Sequence, residues 1–441
     1  MNPSRSVRLL TLVLLALIPS CSSRLATPVP AKPSTTPEPT RTIATPTPEI
    51  ALALKSYGFV TVPGGLLLLG TFENTLERDL VDLQLALELH TAPGDLAASQ
   101  LIRPVPDSLA PGEEAGLWAQ FDSISGELIP SITLASTSSN PLPHSDVEVE
   151  LVATRKLGSG ETVILGLLTN RQVGYGRLND LILLPTSIGR GSQGIARILL
   201  VNQGLPPDEA VPFAAEVVGE VPDLGWQIYV DASPSGTPDQ PPLELVTEPM
   251  LKHSEQGRAF YVFQFQNLGS LPRWLHGEAA FYRDDTLMAM ADFSMPVPIR
   301  PGEIRPIAIS EFIGLPLEYD PTPEALREWR VELDLDALAS RPSLSEVETL
   351  RVEVLQFEVI GDLVFIRGQL ANDNPGVVEH PTALLAARDI GGFLLNSAWS
   401  RPTERLAPGE SVSFELTMLL PAGTTAESSE FDLQGIGTSA P

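Results

Sequence analysis

Side chains that could do chemistry are few in this chain and widely spaced. Gly189-Arg-Gly-Ser-Gln-Gly194 fits the G-x-G-x-x-G pattern of dinucleotide-binding loops, which need a helix N-terminus directly after the glycines. The apolar segment 195–201 follows instead, and its composition predicts a strand. The same loop has Arg190 where a G-x-S-x-G nucleophile elbow requires its first glycine. We interpret it as a glycine-rich turn that binds no cofactor and activates no nucleophile.

Histidines and carboxylates form no pattern that indicates a metal site. No two histidines are two or four residues apart, the spacings that place two imidazoles on one ion. The five are His90, His144, His253, His276 and His380. No calcium loop of the D-x-[DN]-x-[DN]-G type is present. Glu332, Asp334 and Asp336 alternate with apolar residues, as on the solvent face of a strand. The sequence therefore predicts no catalytic, cofactor or metal site.

Aromatic side chains are the better candidates for binding. Trp226 and Trp329 stand at or just before alternating segments and are predicted to pack in a core. Trp274, Trp399 and Tyr175 lie in less regular segments, where we expect them to be exposed. An exposed aromatic ring can stack on a sugar or fill a pocket of a partner protein. We take these last three as possible binding residues.

The single cysteine, Cys21, lies at the end of a typical export signal. Arg5 and Arg8 precede the apolar run 9–18, whose ten residues are too few to span a bilayer. Ile18-Pro-Ser-Cys21 resembles the lipobox of bacterial lipoproteins, although Leu-Ala-Gly-Cys is the common form and Pro19 departs from it. That resemblance implies that Cys21 becomes the N-terminus and carries lipid on its sulfur. The alternative is an ordinary signal peptide with an incidental cysteine.

A proline-rich segment separates this signal from the rest of the chain. Residues 22–49 have proline at nearly every third position, with threonine and serine between. Such a composition buries no core and favours extended polyproline conformations. We therefore predict a signal peptide at 1–21 and a disordered Pro/Thr-rich stalk at 22–49. Together they would attach an exported domain to a membrane through its N-terminal lipid.

The charge and composition of the chain argue against several other classes of protein. A net charge of −27 argues against nucleic-acid binding, because few cations are present to displace counterions from phosphates. It also argues against docking the folded region on an anionic membrane. One cysteine permits no internal disulfide. The 441 residues are too many for one core, and 42 prolines with 34 glycines favour strands and turns over helices.

Two sequence patterns recur four times. The first has the form G-x-φ-x-N, where φ is apolar: Gly70-Thr-Phe-Glu-Asn74, Gly166-Leu-Leu-Thr-Asn170, Phe263-Gln-Phe-Gln-Asn267 and Gly368-Gln-Leu-Ala-Asn372. The second has the form L-x-P-G-E: Leu109-Ala-Pro-Gly-Glu113, Leu205-Pro-Pro-Asp-Glu209, Ile299-Arg-Pro-Gly-Glu303 and Leu406-Ala-Pro-Gly-Glu410. From Asn to Glu the separations are 39, 39, 36 and 38 residues. Two linked patterns at near-constant spacing indicate four tandem units.

Each unit has the pattern of a β-sandwich. Segments such as 83–89 and 412–416 alternate apolar and polar residues, and Pro or Gly interrupts the chain every eight to twelve residues. We predict an all-β chain of four independent, immunoglobulin-like sandwiches at 50–137, 146–233, 242–340 and 348–437. One helix is predicted for Thr322-Pro-Glu-Ala-Leu-Arg-Glu-Trp329, with Thr322 as its cap.

The repeated patterns have structural roles in this interpretation. The middle residue of G-x-φ-x-N should enter the core, its glycine should permit close backbone approach or a bulge, and its asparagine should bond to the following turn. In L-x-P-G-E, proline should preset the first turn torsion and glycine should adopt a positive φ. Both patterns therefore maintain shape and carry no chemistry.

The order of these patterns resembles the bacterial FxLYD-type domain. Between the two patterns lies a third signature, best kept at Ala280-Phe-Tyr-Arg-Asp284 and reduced to Ala387-Arg-Asp-Ile-Gly391 in the fourth copy. The first copy has His90-Thr-Ala-Pro-Gly94, and the second lacks the signature. The resemblance implies an immunoglobulin-like sandwich found in exported proteins and lipoproteins. Catalytic residues are not part of that family's pattern.

These observations leave a choice of functions. The first is a non-catalytic cell-envelope lipoprotein, a binding or adhesion module that holds a protein or glycan. The alternative is a passive spacer or scaffold subunit of an envelope complex. An enzyme is the third possibility, and nothing in the sequence favours it. The third unit carries the insertion 319–329, and we expect it to be the place to look for binding.

Overall fold

The structure of the protein is a computed structural model that describes most of residues 52–440. The residues it does not describe are 1–51, 63, 123, 125–126, 139–145, 158–159, 187, 189–193, 222–224, 238, 240, 316–326, 337–338 and 441. The predictions for Cys21, for the stalk at 22–49 and for most of the helix at 322–329 fall outside the described residues. So do His144 and nearly all of the glycine-rich loop at 189–194.

The described residues form four consecutive antiparallel β-sandwiches, which we call units 1 to 4, and no α-helix. Unit 1 consists of β1 (Leu52–Val62), β2 (Gly65–Asn74), β3 (Val81–Thr91), β4 (Leu96–Ile102), β5 (Glu114–Phe121) and β6 (Leu128–Ser138). Its two sheets have the orders β1-β2-β5 and β4-β3-β6.

Unit 2 repeats this arrangement with one additional short strand. It consists of β7 (Val147–Lys156), β8 (Thr162–Asn170), β9 (Gly176–Pro185), β10 (Ile195–Val201), β11 (Gly204–Leu205), β12 (Ala210–Val218) and β13 (Trp226–Pro234). Strand β10 pairs with both β9 and β12 and so joins the two layers at one edge. The segment after the glycine-rich loop is therefore a strand, as predicted.

Units 3 and 4 have the same order of long strands. Unit 3 consists of β14 (Leu243–His253), β15 (Ala259–Asn267), β16 (His276–Arg283), β17 (Thr286–Ser294), β18 (Ile304–Ile309) and β19 (Arg330–Leu335). Unit 4 consists of β20 (Val347–Ile360), β21 (Leu363–Ala371), β22 (Val378–Asp389), β23 (Leu394–Ser400), β24 (Arg405–Leu406), β25 (Ser411–Leu419) and β26 (Ser429–Ser439), with a 3-10 turn at Ala426–Ser428. This architecture confirms the predicted all-β fold of four tandem immunoglobulin-like sandwiches.

The conserved spacing of the two patterns places their apolar residues in the four cores. The middle residues of G-x-φ-x-N are all at most 3% exposed; they are Phe72, Leu168, Phe265 and Leu370. The apolar residues four positions after each glutamate are at most 4% exposed; they are Leu117, Phe213, Ile307 and Phe414. Each sandwich core therefore contains one side chain from each pattern, as the sequence predicts.

The asparagine of each pentapeptide is a buried hydrogen-bonding centre. Asn74 Nδ2 donates to the carbonyl oxygens of Arg78 at 2.9 Å and Leu109 at 3.1 Å, and Asn74 Oδ1 accepts from the amide of Leu76. The same three bonds recur at Asn170, Asn267 and Asn372. All four asparagines are at most 1% exposed. Because Leu109 opens L-x-P-G-E, the asparagine side chain ties the first pattern to the second.

The L-x-P-G-E segment is a tight turn. In unit 1 the amide of Glu113 donates to the carbonyl of Ala110 at 3.1 Å, and Gly112 has a φ of +77°. The Glu113 carboxylate accepts in turn from the amide of Ala110 at 2.8 Å. Units 3 and 4 repeat both bonds and the positive φ, at Arg300, Gly302, Glu303 and at Ala407, Gly409, Glu410. The predicted positive φ of the glycine is confirmed.

The glycine of the pentapeptide makes room for a large cross-strand neighbour. Gly166 pairs with Phe213, and a Cβ on this glycine would lie 2.5 Å from the Phe213 ring and 2.6 Å from the Glu150 carbonyl oxygen. Gly70 and Gly368 pair in the same way with Leu117 and Phe414. Unit 3 has no glycine at this position, since its Phe263 pairs with Ile307. The close approach is therefore made in units 1, 2 and 4.

The four units are stacked, which corrects the expectation of independent sandwiches. The second strand of each unit turns alternate side chains away from its own core and against the third strand of the next unit. Leu67 and Leu69 of β2 thus join Ile182 and Leu184 of β9 in one apolar cluster. Equivalent clusters join Leu165 with Ala280 and Tyr282, and Val262 with Ala386. Sheet therefore packs on sheet at every junction, and Ile50–Pro441 is one compact unit.

The two ends of this stack differ from its junctions. In unit 4, Arg367 occupies the position of Leu69, Leu165 and Val262, five residues before the asparagine, and forms an ion pair with Glu415 at 2.5 Å. In unit 1, the outward face of β3 carries Gln84, Glu88 and His90. No described unit covers either face. At the ends of a repeat array, polar residues occupy the positions at which interior units have buried apolar residues.

Candidate functional site

The three predicted binding aromatics lie at two different junctions of the stack. Tyr175 is half-buried and lines a groove between units 2 and 3. Trp399 is 46% exposed and lines a groove between units 3 and 4. Trp274 is half-buried, with its ring 6.2 Å from that of His380 in unit 4. The structure therefore does not bring the three together. Trp329 lies in the core of unit 3 and Trp226 packs against that of unit 2, as predicted.

The groove between units 2 and 3, which we call the junction groove, has the features of a binding site. Its volume is about 790 Å³. Unit 2 contributes Tyr175, Asn202 and Glu209, and unit 3 contributes Glu278, Asp334 and Asp336. It lies directly beside the apolar cluster that holds the two units together, in which Ala280 and Tyr282 of β16 take part.

Glu278 is the most unusual residue of the junction groove. On β16, Ala279 and Phe281 enter the core of unit 3, so Glu278 points with Ala280 toward unit 2. It is only 4% exposed and has no hydrogen-bond or ion-pair partner among the described residues. Burial, reinforced by Asp334, Asp336 and Asp292, raises the pKa of Glu278 to about 8. An unpaired carboxyl group held in this way is costly to bury.

A hydrogen bond across the junction fixes the acidic strand of the groove. Asn202 of unit 2 is 6% exposed, and its Nδ2 donates to Oδ2 of Asp334 at 2.6 Å. The amide of Gly204 donates to Oδ1 of the same asparagine at 2.9 Å, which orients the side chain. Burial and the charges of Asp334, Glu209 and Asp336 raise the pKa of the Tyr175 hydroxyl. The acidic residues of the groove are therefore concentrated on its unit 3 wall.

Glu209 enters the groove because unit 2 departs from the repeated turn. In the other units the equivalent glutamate accepts a hydrogen bond from the amide three residues earlier. Unit 2 has Pro206 at that position, and proline has no amide proton to donate. Asp208, with a φ of +59°, replaces the turn glycine. The exposed Glu209 carboxylate has no partner among the described residues and lines the groove instead.

The other two junctions have grooves of different chemistry. The one between units 1 and 2, about 740 Å³, contains Asp231, whose pKa burial and Asp107 raise to about 6. Asp231 has a partner, because Asn179 Nδ2 donates to it at 3.4 Å. The groove between units 3 and 4, about 560 Å³, contains Trp399. Of the three described grooves, the junction groove alone combines a deeply buried carboxyl group with the lack of any partner for it.

The sequence correctly predicted a strand for the acidic wall but did not predict that it lines a groove. Asp334 lies on β19 and Asp336 follows its end, and Glu332, Asp334 and their neighbours alternate as predicted. The available signals were Glu278 inside an otherwise apolar strand and Pro206 in place of an amide donor. Within the described residues, no group of three or more His, Cys, Asp or Glu side chains is arranged to hold a metal ion.

No protein-family model matches the chain, and no curated protein matches it. Among the described residues, no helix is both long and apolar enough to cross a membrane.

Proposed function

We propose that this chain is a non-catalytic, lipid-anchored protein of the bacterial cell envelope that holds a partner in the junction groove. The observation that carries the binding role is Glu278, a buried carboxyl group without a partner that faces an accessible groove. A carboxyl group in that position is costly to the folded chain, and a ligand that pairs with it would remove the cost. The order of sequence patterns supports an FxLYD-type lipoprotein.

The anchor is supported by the export signal, the lipobox-like residues and the stalk composition. We expect the parent protein to incorporate labelled fatty acid and to lie in the membrane fraction, and Cys21→Ser to abolish the incorporation. Ser20→Ala is the matched control, because it leaves the sulfur in place. A parent protein that incorporates no label and lies in the soluble exported fraction would favour an ordinary signal peptide and refute the lipid anchor.

The binding role is tested in the native envelope with the full chain. A photo-crosslinking amino acid at Thr237, an exposed residue of the junction groove, should capture one defined partner on illumination. The same amino acid at Thr133, exposed on unit 1, is the control and should capture nothing specific. Equal capture from both positions, or none from either, would contradict binding in the groove.

The stacked junctions favour a second function, that of a passive spacer or scaffold subunit. Apolar clusters join each unit to the next, so the sandwiches cannot pivot freely about their joints. A spacer needs this stiffness but needs no groove. If the protein is a spacer or scaffold, removing one unit from the stack should impair its function in the envelope. Substitutions in the junction groove should leave that function unchanged.

A further inference from the structure

The charges that line the junction groove are strongly unbalanced. Five carboxyl groups line it, and they belong to Glu209, Glu278, Glu332, Asp334 and Asp336. Arg177 is the one guanidinium in the described lining, and its Nη2 donates to Gln203 at 3.3 Å, not to a carboxylate. The described lining thus holds five carboxyl groups and one cationic side chain.

Three of these carboxylates already have partners and two do not. Glu332 forms an ion pair with Arg330, Asp334 accepts from Asn202, and Asp336 accepts from the amide of Ala339 at 3.1 Å. Glu209 and Glu278 have no partner among the described residues. They come from opposite walls, one from unit 2 and one from unit 3. A ligand that extends from one wall to the other would contact both.

Resting on the binding role proposed above, we propose that the junction groove binds an organic cation through its ammonium or guanidinium group. Glu278 would pair with the group at the buried end, and the Glu209 carboxylate would attract the cation from the unit 2 wall. Tyr175 lies in the same lining, where an aromatic ring would add a cation–π attraction. Anions and neutral sugars gain no charge attraction from these carboxyl groups, and the negative field of the whole chain also steers cations toward the groove.

A bare metal ion fits this groove less well than an organic cation. Calcium takes six to eight oxygen ligands at short distances. No three carboxylates or histidines of the described residues converge in that way. An ammonium or guanidinium group needs fewer oxygens and donates directional hydrogen bonds to them. The same group is carried by a lysine or arginine side chain of a protein and by a free polyamine.

Binding of a cation should be coupled to loss of a proton from Glu278. The charged groups that act on it are Asp334 and Asp336 from β19 and its end, and Asp292 from β17, whereas Glu209, Tyr175 and Arg177 of unit 2 line the same groove. Because its pKa is about 8 without ligand, the carboxyl group must ionise before it pairs with a cation. Affinity should therefore fall by up to about tenfold for each pH unit below 8 and level off above it.

The test is calorimetric titration of the full chain with four probes at pH 6 to 9. The probes are spermidine, an end-blocked lysine-containing hexapeptide, the same peptide with its lysine acetylated, and calcium chloride. We expect spermidine or the lysine peptide to bind and the acetylated peptide to fail. Glu278→Gln should weaken binding at least tenfold and remove its pH dependence, and Glu209→Gln should weaken it several-fold. Glu410→Gln is the matched control, because Glu410 is the equivalent turn residue of unit 4 and bonds its own turn.

The outcomes separate this inference from the binding role itself. Binding by spermidine but not by the peptide identifies a small polyamine, and the reverse identifies a protein segment. Four results would each refute the proposal that the groove binds an organic cation. They are equal binding of the acetylated peptide, unchanged binding in Glu278→Gln, binding of calcium alone, and no binding of any probe. If crosslinking at Thr237 still captured a partner in those cases, the groove would remain a binding site for a ligand of another chemistry. If crosslinking failed as well, both proposals would fall.

Discussion

Glu278→Gln should remove a pH-dependent loss of stability from the ligand-free protein. The folded chain holds this carboxyl group near pKa 8, whereas the unfolded chain ionises it near its ordinary value of 4.5. A pKa raised on folding adds stability that is complete below the unfolded pKa and is lost as pH rises through the folded one. Ionisation of Glu278 should therefore weaken the native state progressively between about pH 4.5 and pH 8.

The size of the effect follows from the two pKa values. Between pH 5 and pH 9, ionisation of Glu278 should lower the free energy of unfolding by the equivalent of about 3 pKa units, or about 4 kcal/mol. Glutamine has nearly the same shape and no charge at either pH. The variant should thus resemble the parent to within about 1 kcal/mol at pH 5 and exceed it by about 4 to 5 kcal/mol at pH 9.

Urea unfolding at pH 5, 7 and 9, followed by circular dichroism and by tryptophan fluorescence, measures this difference. Glu332→Gln is the matched control, since Glu332 is 52% exposed, lies two residues from Asp334 on the same face and is paired with Arg330. Its stability should follow the parent at every pH. Parallel pH profiles for the parent and Glu278→Gln would refute the idea that burial keeps this carboxyl group protonated.

Three further changes test the packing described above, each by denaturant unfolding against its own control. Asn372→Ala removes its bonds to the buried Leu406 carbonyl, to the Gly376 carbonyl and from the Asn374 amide, so it should cost about 2 to 4 kcal/mol. Asn374→Ala removes one exposed hydrogen bond and should cost about 0.5 kcal/mol or less. Gly368→Ala brings a Cβ to 2.5 Å from a backbone oxygen and should destabilise more than Gly70→Ala, where the nearest backbone oxygen is 3.0 Å away; equal costs would contradict the packing argument. Leu165→Lys places a charge in the cluster between units 2 and 3 and should split one unfolding transition into two, although it alters neither sandwich core; a single unchanged transition would show that this cluster is not what couples the two units.

Local interactions explain why the fold itself could be predicted. The alternation in β3 is a property of its own residues, because each side chain of a strand faces the side opposite to its neighbours. The turn at Gly112 is fixed within five residues by proline and glycine torsions. The bond from the Asn74 side chain to the Leu109 carbonyl could not be predicted in this way, because it joins residues that are 35 positions apart.

The junction groove could not be predicted from the sequence, because it is formed by contacts between residues that are far apart in the chain. Glu278 and Glu209 are 69 positions apart in the sequence and belong to different sandwiches. The alternation around Asp334 indicates an outward face of a strand equally well in solvent and in a groove. Which of these applies depends on whether another unit covers the sheet. The same ambiguity led to the expectation of independent units.

By itself, the sequence determined the four repeated units, their strands and the turns that close them, because each depends on backbone torsions and apolar alternation within a few residues. The tertiary structure determined which sheet faces are covered and therefore which carboxyl groups lose water. Desolvation depends on every atom within several ångströms, whatever its position in the chain, and here the decisive atoms come from the neighbouring unit.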